Sequence, residues 1–352
     1  MDDFPDFDVE FIILKDYVIE LREFILYNLR NKYKKLKHFD CTECDLTELP
    51  EYLPISLTYL NVSFNNISFL HNLKHLTSLV ELKCCNNILT KIYELPDTLK
   101  IFNCYDNDLT ELPDLPDLLT HLDCESNYLN EIPNLPHPLT YFACSNNNLT
   151  KLPDLSKLSL IELNCMDNDL TELPNLPDSL ETLDCQNNNL TKLPDLPNKL
   201  VYFDCDGNFV KSLPTLPKSL LVLYCSFNEL SINGIPELPD TLTHFNCQHN
   251  KLTELPDLPS SLTSFRSING NLLHQTYYCF QPDTTIKSNE MFLINIKQTN
   301  AKNKGIKRMK LLDRTLLLGH SAKITMNPKR IERLLDNKEI NFFDGSFDTL
   351  TS

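Results

Sequence analysis

The side chains of this chain that could do redox, metal or acid–base chemistry are thirteen cysteines, nine histidines and 48 acidic residues, and their spacing says what they are for. Ten cysteines fall in one register, Cys41, Cys84, Cys104, Cys124, Cys144, Cys165, Cys185, Cys205, Cys225 and Cys247. Steps of twenty residues lack the short C-x-x-C character of a zinc site. If successive copies stack as strands, their thiols stand about 4.8 Å apart with parallel Cβ directions. That distance suits a disulfide, but the parallel vectors do not. The expectation is a buried, reduced column that packs as small apolar groups, which implies a reducing, cytoplasmic compartment.

The carboxylates are distributed otherwise. Asp123, Glu125, Glu162, Asp184, Asp204 and Asp206 gather in the middle of the chain, with Tyr105, Tyr141, Tyr202 and Tyr224 among or beside them. Paired carboxylates serve as acid and base when an enclosed pocket separates their pKa values, and an open strand face has no such enclosure. His38, His121 and His244 stand far apart. No Gly-bearing, oxygen-rich calcium loop is visible. The expectation is therefore no catalysis, no metal and no cofactor. Tyrosines ringed by charge have the composition of an interface hot spot, and a negative patch steers a basic partner. Residues 273–352 hold 13 Lys and Arg against 8 Asp and Glu, so of the total charge of −16 the first 272 residues carry −21. So acidic a body argues against nucleic acid, which needs a basic footprint.

What positions these groups is a unit of twenty to twenty-two residues, clean in Leu99-Lys100-Ile101-Phe102-Asn103-Cys104-Tyr105-Asp106-Asn107-Asp108-Leu109-Thr110-Glu111-Leu112-Pro113-Asp114-Leu115-Pro116. Its first leucine recurs at Leu36, Leu57, Leu79, Leu99, Leu119, Leu139, Leu160, Leu180, Leu200, Leu220, Leu242 and Leu262, which makes twelve units. Three positions on comes Leu or Phe; five on comes Cys in ten units, with Val62 and Ser267 as exceptions. Eight on comes Asn in ten units, with Cys44 and Gly270 as the terminal exceptions. Alternation of apolar and polar residues around plus three and plus five is the period of a half-buried strand. A strand so short cannot bury its face alone, so the units must stack in parallel. The Asn amide can pair with backbone where the chain turns away. Two prolines per unit, such as Pro113 and Pro116, disfavour a helix on the return path and favour an extended, polyproline-like one.

The pattern L-x-x-L-x-C-x-x-N-x-L-T-x-L-P-x-L-P resembles the short leucine-rich repeat of bacterial effectors of the YopM and IpaH kind, shared by repeat proteins of giant viruses. The resemblance spans residues 36–272, about two thirds of the chain. It implies a repeat solenoid with a parallel β-sheet on its concave face and a thin convex side. IpaH-type effectors add a catalytic ubiquitin-ligase domain built around a cysteine. Cys279 is the one candidate in this tail, and the acidic residues expected after such a cysteine do not follow it.

Outside the repeats, residues 1–35 are expected to form an N-terminal cap. Lys15 to Lys35 has helical apolar spacing, and Phe11-Ile12-Ile13-Leu14 suits either a strand or the helix start. Residues 273–352 are expected to be a C-terminal cap and basic extension, with Lys302, Lys304, Lys307, Arg308 and Lys310 as its charged run. No apolar run is long enough to span a bilayer, and the acidic Met1-Asp2-Asp3 start is unlike a secretory signal. The reading is a monomeric, non-enzymatic scaffold that binds a basic protein on its concave face. The alternative is a recognition subunit linked to ubiquitin-ligase machinery.

Overall fold

The computed structural model describes residues 9–14, 26, 29, 33–50, 52–71, 73–253, 255–267, 270 and 271. All lie in the first of two units, Met1–Lys304; the second, Gly305–Ser352, lies outside the described residues. Thirteen strands of three residues form one parallel sheet, starting with Phe11–Ile13, His38–Asp40 and Tyr59–Asn61 and ending with His244–Asn246 and Ser264–Arg266. Every neighbouring pair is parallel and in register, as in Asp184 beside Asp204 and Asp204 beside Tyr224. The expected stack is therefore present, with a further rung: Phe11–Ile13 is a strand and pairs with His38–Asp40. Of the helix expected over Lys15 to Lys35, Leu26 and Leu29 are described as helical, with Leu29 fully buried, whereas 33–35 are described and are not helical. The rest of that stretch and the expected C-terminal extension lie outside the described residues.

Each strand but the last, where Phe265 is half-buried, buries its middle residue, and the cysteine two positions later completes the core in ten units. All ten cysteines of the column are 0% exposed, and none is in a disulfide. The thiol of Cys185 donates to the carbonyl of Asp204 at 3.2 Å, the same oxygen that accepts the Cys185 backbone N–H at 2.9 Å. Cys165, Cys205 and Cys225 repeat this with Asp184, Tyr224 and Asn246. Burial pushes these thiols well up, so no thiolate is available for chemistry near neutrality.

The asparagine column carries the heaviest hydrogen-bond load. Asn147 Nδ2 donates to the carbonyls of Cys124, Cys144 and Ser145, while its Oδ1 accepts from Leu129 N–H at 2.9 Å. One amide thus joins two units and satisfies four backbone groups that the turn has taken out of the ladder. At the ends the structure resolves both sequence exceptions. Cys44 stands in for the amide, its thiol donating to Thr42 O at 3.3 Å. In the last unit the column shifts by one residue: Asn271, not Gly270, binds Leu252 N–H and the carbonyls of Cys247 and Ser267.

The residue before that asparagine is left-handed in every intervening unit, with φ between 50° and 57° at Phe64, Asn86, Asp106, Ser126, Asn146, Asp167, Asn187, Phe227 and His249, and φ 65° at Gly207. Asn, Asp and Gly tolerate that region and dominate the position. Phe64 and Phe227 do not belong to that class, and both are more than half exposed. Phe227 is held by His249, whose ring stacks on it at 4.2 Å.

On the return path the second proline opens a turn: its carbonyl accepts the N–H of the next unit's first leucine, as Leu119 N to Pro116 O at 3.0 Å. The described repeats contain no α-helix, and one three-residue 3-10 turn, Ile232–Gly234. Where His71 and Tyr93 stand in place of the first proline, the residues just before them, Phe69–Leu70 and Lys91–Ile92, form a small two-stranded parallel sheet on the convex side. It does not extend to the next unit, where Pro113 follows the equivalent residues and has no N–H to offer.

Replacing Asn147 by Ala strips four partners from buried backbone, and urea unfolding is expected to show a loss of about 3 kcal/mol. Cys144→Ala removes one sulfur from the core and is expected to cost about 1 kcal/mol. Equal losses would show that the amides are not what closes the turns.

Candidate functional site

Residues two, four and six positions after each first leucine face the open side of the sheet, and the ten predicted site residues all lie there. They are less exposed than expected. Asp204 is buried, and Tyr105, Asp123, Glu125, Tyr141, Glu162, Asp184, Tyr202, Asp206 and Tyr224 are all intermediate. The side chains lie down against neighbouring units rather than standing in solvent.

The plus-four column has a local reason to be Asp or Asn. Oδ1 of Asp123, Asp184 and Asp204 accepts the backbone N–H two residues on, from Glu125, Gln186 and Asp206, at 3.3, 3.2 and 2.9 Å. Asn103 and Asn164 make the same bond to Tyr105 and Met166. This Asx turn ends the strand. An acceptor oxygen is required there, whereas a charge is not. The sequence signal for it is Asx in the plus-four column itself, at Asp40, Asn61, Asn103, Asp123, Asn164, Asp184, Asp204 and Asn246.

Two groups form on this face. In the first, Glu125 reaches across the small Ala143 and Ser145: its Oε1 accepts from the Ser145 hydroxyl and from Asn164 Nδ2 at 2.6 Å. Asp123 accepts from Asn103 Nδ2 at 2.9 Å, and the Tyr141 ring stacks on His121 at 6.0 Å. Asp123, Glu125 and Glu162 all act electrostatically on Tyr141 and, with its burial, push its hydroxyl up. In the second group, Asp184, Asp204 and Tyr224 are lateral neighbours. Tyr202 and Tyr224 meet edge to face at 6.0 Å and 88°. The Tyr202 hydroxyl donates to Asp204 Oδ2 at 3.4 Å, and Asp206 accepts the Ser226 backbone N–H. Tyr105 stands one unit ahead of the first group.

Among the described residues, none of the six carboxylates has a Lys or Arg within ion-pair distance. The ion pairs lie elsewhere, at Lys37–Glu10, Lys83–Glu81, Lys91–Glu111 and around Glu229. Burial first, then like charge, raises Asp123 and Asp184 to about 6 and Asp204 to about 8; Asp206 is raised to about 6 by burial, against hydrogen bonds from Ser226. Glu125 and Glu162 are raised by burial first. No group of three or more His, Cys, Asp or Glu among the described residues is placed to hold a metal ion. No described helix is long and apolar enough to cross a membrane.

Residues 179–200 match the family model described as Leucine Rich Repeat. YopM from Yersinia pestis, a leucine-rich effector protein, is 37% identical, with a TM-score of 0.64 over 68% of this chain and 68% of that one. The chain belongs to the YopM-like leucine-rich-repeat proteins. YopM from Yersinia enterocolitica is 35% identical with a TM-score of 0.60; the match covers 68% of this leucine-rich-repeat protein and 56% of YopM, little more than half its length. The functional domain of InlJ from Listeria monocytogenes, which includes a cysteine ladder, is 29% identical with a TM-score of 0.55, over 69% of this chain and 60% of that one. No curated protein matches the sequence. The leucine-rich-repeat solenoid is in general a scaffold for protein–protein interaction, because its stacked units present an extended concave surface.

The carboxyl shifts carry a sign for stability. An acid raised on folding is disfavoured in its charged form, so its stabilising share is full below its unfolded pKa near 4. It is lost as pH rises through the folded value. The protein is expected to melt at a lower temperature at pH 8.5 than at pH 5, and Asp204→Asn is expected to flatten that slope. A melting temperature that rises across this range in calorimetry would contradict the assignment.

Proposed function

We propose that the chain is a non-enzymatic scaffold whose concave face, between the units of Leu99 and Leu220, binds a protein partner with a basic surface. The observation that carries this reading is the row of six half-buried or buried carboxylates with no Lys or Arg paired to them among the described residues. Burying like charges without counterions weakens the isolated fold; a cationic partner reverses that cost and gains directional attraction. The tyrosines supply rigid contact area beside the charge. Half-buried side chains hold their positions before the partner arrives, so less freedom is lost on binding.

The carboxyl groups do not support an acid–base enzyme. Both oxygen-rich groups sit on an open sheet, and Glu125 is occupied by Ser145 and Asn164. The reduced cysteine column supports an intracellular place of action. A link to ubiquitin-ligase machinery has no feature of the described residues behind it, and the scaffold reading is preferred.

The discriminating variant is Asp123→Asn, Asp184→Asn and Asp204→Asn combined. Asn keeps the Oδ1 acceptor of each Asx turn and removes only charge. Binding of the basic partner captured from native cells is expected to fall at least tenfold, with melting temperature unchanged or higher. Charge reversal to Lys at the same sites also removes the acceptor, and is expected to lower melting temperature. Retained binding by the Asn variant would reject the acidic surface.

A further inference from the structure

Two exceptions to the repeat meet in its first unit. Cys44 stands where later units have asparagine, and Val62 stands where the second unit should have cysteine. Cys41 therefore has no thiol beside it in the column. Val62 lies on one side and Leu14, which follows the Ile13–Asp40 pair, on the other; all three are 0% exposed. The nearest other thiol along the chain belongs to its own turn, Cys41-Thr42-Glu43-Cys44, a C-x-x-C run with the spacing of dithiol redox pairs. In later units the plus-eight amide reaches back to the carbonyl of the plus-five cysteine, as Asn107 Nδ2 to Cys104 O at 3.0 Å and Asn147 Nδ2 to Cys144 O at 3.1 Å. The first unit makes the same turn, with left-handed Glu43 at φ 53°, and such a turn holds its first and fourth Cα within about 7 Å. Disulfides span Cα separations of about 4.4–6.8 Å, so the pair is within reach. Asn65 of the second unit fixes both ends: its Nδ2 donates to Cys41 O at 2.9 Å and its Oδ1 accepts the Cys44 N–H at 3.0 Å. Burial, and after it the nearby Cys44, push the Cys41 thiol up.

We propose that Cys41 and Cys44 form a reversible disulfide, a redox-sensitive clasp on the first repeat unit, by exchange with a low-molecular-weight disulfide such as oxidised glutathione. The clasp does not depend on the concave face being a binding surface. In the reduced chain each thiol donates to a carbonyl, Cys41 to Asn61 O and Cys44 to Thr42 O, both at 3.3 Å. Cys44, 7% exposed against 0% for Cys41, is the thiol that attacks. Its sulfur bonds to one sulfur of the oxidant, the oxidant's S–S bond breaks, and one glutathione leaves with the Cys44 proton. The Cys41 sulfur then attacks the Cys44 sulfur, and the second glutathione leaves with the Cys41 proton. Two protein thiols are thereby oxidised to one disulfide, and one external disulfide is reduced to two thiols. The new bond ties the turn that lacks an asparagine amide of its own. Disulfides of this kind in a reducing compartment act in redox sensing. The other column thiols stay reduced, because their parallel directions do not suit the bond.

The test equilibrates the full chain with graded glutathione buffers, quenches it with acid, then unfolds, alkylates and digests it with trypsin. Residues 38–74 form one tryptic peptide that holds Cys41 and Cys44 and no other cysteine. That peptide is expected unalkylated and two hydrogens lighter, at a glutathione ratio at least about tenfold more reducing than any that oxidises another column cysteine. Cys44→Asn, which restores the residue of the later units, is expected to leave Cys41 fully alkylated at every ratio. Cys41→Val, the residue that Val62 supplies in the next unit, is expected to leave Cys44 carrying glutathione. Oxidation is expected to raise the melting temperature of the unaltered chain by a few degrees and to leave that of Cys44→Asn unmoved. Full alkylation of both cysteines in the folded chain, at ratios that oxidise the same peptide in urea, would overturn the clasp. A bond from either cysteine to a different peptide would overturn it too, and so would a melting temperature lowered by oxidation.

Discussion

The structure depends on one constraint, that each three-residue strand leaves the sheet through a turn whose backbone groups must be satisfied out of contact with water. An unpaired buried carbonyl or N–H costs about as much as a hydrogen bond contributes. The units are too short to meet that demand with their own backbone. The buried asparagine meets it with one amide that donates to three carbonyls and accepts from one N–H, as Asn127 and Asn168 both do. Because one of those carbonyls and the accepted N–H belong to the previous unit, closing a turn also welds two units together. Local order and stacking are the same event, so the array needs neighbours in order to fold.

The cysteine column follows from the same confinement. A side chain here must fill little volume, tolerate identical neighbours a strand spacing away, and add no unmet polar group. A thiol does so, with a weak donor that shares the carbonyl its own N–H already uses. The left-handed residue before each asparagine completes the turn, which is why Asn, Asp and Gly prevail there. Phe64 and Phe227 depart from that rule at a cost of the order of 1 kcal/mol each, and each sets an aromatic ring on the rim of the sheet.

Function on such a body has to lie on the positions the core does not claim. The plus-four column is shared between the two demands: its oxygen ends the strand, and its charge, where it is Asp rather than Asn, faces the concave side. Asp123, Asp184 and Asp204 therefore hold a structural acceptor that Asn would hold equally well, plus a charge the fold does not need. That surplus charge, concentrated over five units and unpaired among the described residues, is what distinguishes this face from a merely polar one.

The repeat, the parallel sheet, the buried thiols and the helix-free convex side were legible in the amino-acid order, because period and residue type dictate which groups must be hidden. The ten face residues were legible for the same reason, as the plus-two, plus-four and plus-six positions of a strand whose plus-three and plus-five positions are apolar. Other features were decided only by tertiary structure. Phe11–Ile13, whose residue types suit a strand or a helix start, becomes a rung because the sheet offers an edge to pair with. Asn271 takes over from Gly270 because hydrogen-bond geometry, not sequence register, selects the amide that reaches Leu252. Glu125 is spent and Asp204 is not because Ala143 and Ser145 leave room for one side chain to lie across the sheet. Tyr202 and Tyr224 instead crowd the other, and a contact between neighbouring units has no trace in the spacing of either.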